Sequence, residues 1–397
     1  MGYMPHGFTR RQQMENELFE LTAKLISFKS ISPNDGGSMD YIQLYLNELG
    51  FSTTRVDRHH TSNLIARFGT TTPIFAYAGH VDVVPPGDIN KWSNDPFTMV
   101  ENNGHLYGRG IADMKGSVAC FMLAVKQFLN EYRNSIRGSI MLLITSDEEA
   151  SGADGTTVIV DYLKQNNLQI DYCLLGEPTS VTRLGDVVKV GRRGSLTGYL
   201  EIIGNQGHIA YPNLCKNPIH LFAAALNELI TTTWDNGNEY FPPTSLQFAN
   251  INSGLGVDNV IPGTLLTSFN FRYNNEQTIE QLQKKVIAIL EQYGLKYNMK
   301  WKVSAKPFYT KPGRLIKAVE QAIKQELTVG TELRTDGGTS DGRFLIDICN
   351  ELLEFGLSNR YIHQINENIP STELNLLTKT YKTILNKIFL EVHHNEK

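Results

Sequence analysis

The sequence predicts an α/β fold: a mixed, mostly parallel sheet covered by helices, interrupted by an inserted α+β domain of ferredoxin-like order. Three observations carry this expectation. Short strand-like runs alternate with helical patterns on both sides of the insert. The clearest runs, such as Ile140-Met141-Leu142-Leu143-Ile144, are continuously apolar, as strands buried on both faces must be. The texture then changes near residues 191–194 and again after Lys306-Pro307.

The elements follow in order. Apolar residues keep helical spacing over 18–26 and again at Ile42, Tyr45, Leu46 and Leu49. Strand-like runs occupy 53–56, 64–68 and 74–78. A helix is expected over 115–132, a strand over 140–145, a helix near 157–165 and a strand over 172–175. Within the insert the order is strand 196–203, helix 218–230, strand 245–251, strand 264–272, helix 277–293 and strand 297–303. That is the β-α-β-β-α-β order of a small sandwich. After Lys311-Pro312-Gly313 helical texture resumes. It ends in an amphipathic helix from Ser371 with Leu374, Leu377, Tyr381, Ile384 and Ile388 on one face. The expected division is 1–192 and 308–397 as two parts of one α/β domain, with 193–307 inserted between them. The first 13 residues read as polar and irregular, a flexible extension or a start-site artefact.

Composition excludes several classes. A chain of 397 residues supports two or three domains, and 41% hydrophobic with 20% charged residues is ordinary for a globular protein. A net charge of −4 without a Lys/Arg run argues against nucleic acid as a partner. No apolar run approaches the roughly 18 residues of a membrane helix. Glu15, Glu17 and Glu20 break the first apolar region, so no signal-peptide core is read there. His6 stands where a myristoylation signal after Gly2 needs Ser or Thr. Cys120, Cys173, Cys215 and Cys349 are widely spaced without a CxxC, which reads as reduced thiols in a cytoplasmic protein.

The chemistry-bearing residues cluster at strand ends. His6, His59, His60, His105, His393 and His394 fall in polar or terminal stretches and read as solvated. His220 sits in a helical pattern. His80, His208 and His363 remain. His80 lies in AYAGHVDVVPPG, just past a strand, where ligands of open α/β sheets gather. Asp82, two residues on, can orient the imidazole from its far side, although HVD alone reads equally as a structural turn. Asp113, in YGRGIADMKGS, could merely cap the helix at Lys115, and for an isolated Asp that is the simpler reading. SDEE ends the 140–145 run and Glu177, in GEP, follows the 172–175 run. Each has a bland reading, but four such junctions on one rim place grouped acids around one crevice, and divalent cations supply their counter-charge. Carboxylate and imidazole without thiolate suit zinc or a similar metal. A pair of ions bridged by one carboxylate makes a co-catalytic site.

GHVDVVPPG, YGRGIADMKG, TSDEEASG, GEP, the inserted sandwich and SNRYIH together resemble the M20 family of dinuclear zinc metallohydrolases, a zinc exopeptidase-like fold. GDVVKVGRRGSLTG, GHIAYP, DNVIPG, NFRY and GGTSDGRF look more narrowly like the desuccinylases of that family, which act on N-succinylated diaminopimelate in lysine and cell-wall precursor synthesis. The resemblance implies a catalytic α/β domain, an inserted dimerisation and lid domain, a homodimer, and two zinc ions per subunit for which cobalt can substitute. It makes His80 and Glu177 ligands of one ion, Glu149 and His363 ligands of the other, and Asp113 the bridge. Asp82 would orient His80, and Glu148 would be the general base. Adjacency alone allows either glutamate in either role. His208 would polarise the scissile carbonyl across the dimer. Arg192 or Arg193, Arg272, Ser195, Tyr211, Asn259, Gly338 and Thr339 would contact substrate, bidentate arginine being suited to its carboxylates. Asp258 departs from the family pattern, and its contribution stays open. The alternatives are another M20 deacylase, such as an acetylornithine deacetylase or a carboxypeptidase-like enzyme, and a non-catalytic relative that binds a ligand only.

Overall fold

The structure, a computed structural model, describes residues 10–150 and 152–391. His6, His393 and His394 lie outside the described residues, as do the first nine of the 13 leading residues. The remainder of that leader is ordered, because the first helix, Arg10–Ser27, already begins at Arg10.

The chain divides into two compact units, one of 1–190, 310–334 and 340–397, the other of 191–309 with 335–339. The short 335–339 segment joins the second unit, although sequence texture leaves it in the last part of the α/β domain.

The first unit is built on eight strands in the order Ser52–Arg55, Asn63–Phe68, Ser139–Thr145, Ile74–His80, Ile170–Leu175, Cys349–Glu354, Val187–Lys189, Glu332–Arg334. The four central strands, from Ser139–Thr145 to Cys349–Glu354, run parallel. Register places His80 beside Thr145 and Ala78 beside Leu175, so these strands end along one rim. Every residue of Ser139–Thr145 is buried, as its unbroken apolar pattern requires. Cys349–Glu354 corrects the expectation of helical texture after residue 313. Its Glu351 carboxylate accepts the Arg314 and Leu315 N–H groups at 3.0 and 2.8 Å, capping helix Arg314–Leu327. Residues 103–104 also correct a loop reading: Asn103-Gly104, both at positive φ, close a hairpin between Val100–Asn102 and His105–Tyr107. His105 is therefore half-buried, with Nδ1 2.9 Å from Asn368 Oδ1, rather than solvated.

Helices Lys115–Tyr132 and Ser371–Phe389 pack together over the sheet through an aromatic wedge. Tyr77 stacks on Phe121 with centroids 4.2 Å apart, and Tyr381 meets Phe121 edge-on at 5.7 Å. The Tyr381 hydroxyl donates to the Phe355 carbonyl at 2.7 Å, so this buried polar group is satisfied. All five apolar residues expected on one face of the last helix are buried.

The second unit is a four-stranded antiparallel sheet in the order Ser245–Ser253, Thr264–Tyr273, Gly194–Ile203, Tyr297–Ala305. Helices Pro218–Thr231 and Ile279–Gln292 complete the β-α-β-β-α-β order. Its core joins Leu196, Leu200, Phe222, Phe269, Phe271 and Val286. Thr264–Tyr273 alternates between core and open face, the period of a strand buried on one side.

Removing the Phe121 ring should leave a cavity between Tyr77, Phe75 and Tyr381. Phe121→Ala is expected to cost about 3–5 kcal/mol in denaturant unfolding; a loss under about 1 kcal/mol would show that the wedge collapses freely.

Candidate metal centre

His80, the Glu148-Glu149 pair, Glu177 and His363 are each delivered after a different strand of the sheet, and Asp113 by the turn before helix Lys115–Tyr132. His80 ends Ile74–His80, with its Nδ1 donating to the Asp82 carbonyl at 2.9 Å. The Asp82 carboxylate lies farther from that nitrogen, at 3.5 Å. It is engaged elsewhere, accepting the N–H groups of Glu148 and Glu149 at 3.3 and 3.1 Å and the Ser32 hydroxyl. Asp82 therefore holds both the imidazole and the backbone of the SDEE turn. Asp147 is buried and accepts the Asp154 N–H at 3.1 Å, which makes it a brace of the same turn.

Glu177 follows Ile170–Leu175 through Gly176. A Cβ on Gly176 would lie 1.9 Å from the Tyr77 hydroxyl oxygen, so only glycine lets the GEP turn pass that close to the aromatic wedge. Asp113 precedes helix Lys115–Tyr132 without capping it: the cap position is Met114 and no side chain bonds there. The peptide bond between Asp113 and Met114 is cis. His363 follows Cys349–Glu354 on left-handed backbone, φ 61°.

Together these side chains form a divided constellation. His80 Nε2 lies 3.2 Å from Asp113 Oδ1 and 3.9 Å from Glu177 Oε1. His363 Nε2 lies 3.3 Å from Asp113 Oδ2 and 2.7 Å from Glu149 Oε1. One oxygen of Asp113 thus faces the first pair and the other faces the second. Among the described residues, His80, Asp113 and Glu177 form one group able to hold a cation, and Asp113, Glu149 and His363 another; His80 with Glu148 and Glu149 is a third. The donor set fits metal ions: hard carboxylate oxygens and borderline imidazole nitrogens converge, with no thiolate.

The electrostatics tell the same story. Burial opposes the charged form of His80, yet its hydrogen bonds to Asp113 and Asp82 hold its pKa well above the usual imidazole range. Hydrogen bonds to Asp113 and Glu149 push His363 up to about 10. Without a cation, protons on these rings serve as the counter-charge. Burial, then the charge of Glu177, pushes Glu148 well above the ordinary carboxylate range. Burial also raises Asp341 to about 6; it accepts the Thr156 hydroxyl at 2.6 Å and its charge is felt by Glu148. Sequence reasoning did not single out Asp341, Ser32 or Glu367, whose roles depend on contacts 185, 50 and more than 250 residues away.

The remaining sequence-predicted residues belong to the second unit. Arg192 is buried and donates to the Asp336 carbonyl at 3.2 Å, while Arg193 is half-buried, which lowers its pKa. Ser195 stands opposite Arg272 across the ladder, and its hydroxyl accepts the Asn270 side-chain amide at 3.0 Å. His208 is exposed on a two-residue strand, Gly207–His208, paired with Val260–Ile261. Its Nδ1 accepts the Ala210 N–H at 3.0 Å, so the neutral ring carries its proton on Nε2. Tyr211 is 5.7 Å from it, ring to ring, and the Asn259 carbonyl accepts the Ile209 N–H at 3.1 Å. Gly338 is exposed and Thr339 half-buried in the 335–339 segment.

Known proteins resemble this chain over most of its length. Residues 76–387 match the profile of Peptidase family M20/M25/M40. A succinyl-diaminopimelate desuccinylase of Nitrosospira multiformis is 48% identical over 377 residues, covering 95% of this chain and 100% of that protein. One of Aromatoleum aromaticum is 47% identical, covering 94% and 97%. Among solved structures, the M20 family metallo-carboxypeptidase Sso-CP2 of Sulfolobus solfataricus superposes with a TM-score of 0.78 at 17% identity, over 94% of this chain and 99% of that one. The Bacillus subtilis YXEP protein, described as a dinuclear metal-binding peptidase, gives 0.70 at 15% identity, over 94% and 97%. With the family profile spanning most of its length and full-length relatives near one-half identity, the chain belongs to peptidase family M20/M25/M40.

Proposed function

We propose that this protein hydrolyses N-succinyl-LL-2,6-diaminopimelate to succinate and LL-2,6-diaminopimelate. The observation that carries the reading is Asp113, whose two oxygens are shared between the His80–Glu177 and His363–Glu149 pairs. The near-full-length relatives named for this activity support the substrate. His80, Glu177 and Asp113 would hold one divalent cation, and Asp113, Glu149 and His363 a second, zinc suiting the donors and cobalt able to replace it. Bound there, two such ions supply Lewis acidity and lower the pKa of a water.

The chain's own residues do the rest. Glu148, half-buried beside the ligands but assigned to neither group around Asp113, takes a proton from the attacking water and delivers it to the departing amine. The amide C–N bond breaks, and succinate and the free amine leave. His208, with its proton on Nε2, donates to the oxyanion as it develops, supplied across a homodimer. Arg192 and Arg272 neutralise substrate carboxylates, with Ser195, Tyr211, Asn259, Gly338 and Thr339 as polar partners. The α/β unit is thus the catalytic domain and the 193–307 insert the dimerisation domain and lid. Exposed apolar residues of the insert, among them Ile209, Leu214 and Ile251, supply surface for self-association. Four free cysteines, three of them buried, are consistent with a cytoplasmic enzyme. No helix among the described residues is long and apolar enough to cross a membrane.

Purified protein loaded with zinc should release succinate from N-succinyl-diaminopimelate far faster than acetate from acetylornithine; the reverse preference refutes the substrate assignment. Glu148→Gln should retain both metals and lose about 10²–10⁴ in turnover, and near-normal turnover would remove Glu148 from the role of base. His208→Ala should lower turnover by about 10²–10³ at unchanged metal content. Because His363 is protonated at neutral pH when metal-free, zinc uptake should release protons and tighten as pH rises toward 10. Calorimetry at pH 7 in buffers of different ionisation enthalpy measures this; equal heats in all buffers would contradict it.

A further inference from the structure

One buried carboxylate binds to neither side of the constellation, yet it holds both. Glu367 is 1% exposed and lies four residues after His363. Its Oε2 accepts Arg109 Nη1–H at 2.8 Å and the Gly110 N–H at 3.0 Å. Its Oε1 accepts the Ala112 and Asp113 N–H groups at 2.9 and 3.2 Å. The Glu367 carbonyl also accepts the Gly108 N–H at 3.1 Å. The turn that carries Asp113 is therefore suspended from one residue of the segment that carries His363. Arg109 is itself fixed, with its guanidinium 5.2 Å from the centre of the Trp92 ring and its main-chain N–H on the Pro96 carbonyl at 2.7 Å.

We infer that Glu367 is a positioning residue for the metal centre: it sets the separation and orientation of Asp113 and His363, and through them the affinity of the cation position these two share with Glu149. The inference rests on the metal-centre reading above. Only a carboxylate meets the requirement. Four N–H donors converge on two oxygens, so an amide of the same shape turns its NH₂ toward two of them, whichever way it lies. Partners behind metal ligands commonly hold affinity by this kind of orientation.

The test uses metal-stripped full-length protein titrated with zinc chloride in a calorimeter, with Glu367→Gln, Glu367→Asp and the unaltered chain compared. Their metal-free unfolding midpoints are measured in parallel. Glu367→Gln should weaken one of the two binding steps by about 10–100-fold and the other, which shares Asp113 but not His363, by less. Glu367→Asp, which keeps the charge beside Arg109, should lose less. If the Gln variant does not fold, the Asp variant carries the same comparison. Wild-type affinities in a folded variant overturn the inference whatever its stability, and so does an equal loss at both steps, which marks a merely structural residue. An unaltered chain that takes up no zinc refutes the metal-centre reading itself.

Discussion

Four carboxylates at one end of a sheet repel one another, and most of the first unit is arranged to tolerate that repulsion. Asp113, Glu148, Glu149 and Glu177 are all largely withdrawn from solvent. Like charges about 4 Å apart repel by about 4 kcal/mol at the effective dielectric of a protein near its surface. The two imidazoles offset part of this, and their raised pKa values measure how strongly the acids demand positive charge. Grouped acids of this kind call for positive charge, which the imidazoles supply in part and divalent cations supply more fully.

Side chains and backbone divide the task. The parallel strands Ser139–Thr145, Ile74–His80 and Ile170–Leu175 form a rigid floor whose register fixes where the turns begin. The turns themselves are held by carboxylates that accept main-chain N–H groups: Asp82 for residues 148 and 149, Glu367 for residues 110, 112 and 113. Neighbouring acids on a strand point to opposite faces, whereas on a braced turn they can fan around one crevice. Glu149 can then face His363 while Glu148, close to His80 and Glu149, feels the charge of Glu177.

The readable parts of the sequence were those with a local signature. Continuous apolar runs marked the strands before His80, Ser146 and Gly176, and periodic runs marked the flanking helices and the insert. Cys349–Glu354 escaped because its polar residues mimic a helix pattern. Glu351 caps a helix, and Glu354 accepts the Ser340 hydroxyl, yet both sit on a core strand. Val187–Lys189 and Glu332–Arg334 are three residues long, too short to show a period. For the site, types and spacings led to one crevice, whereas the division of Asp113 between two pairs came only with the family resemblance. Adjacency could not say which glutamate does what, and Glu367 carried no local mark of its use.

One long connection in the site has a consequence in time. Glu149 and His363 are 214 residues apart, and Tyr381, which closes the aromatic wedge, comes later still. At about 5–20 residues per second, the ribosome needs roughly ten to forty seconds to travel from the acids to their histidine. Through that interval the sheet lacks its Cys349–Glu354 strand and the final helix, and the acid turn waits without Glu367 or His363. Sequence-distant pairing of this kind slows folding. Glu149 and Asp113 therefore gain their His363 and Glu367 partners only after that interval.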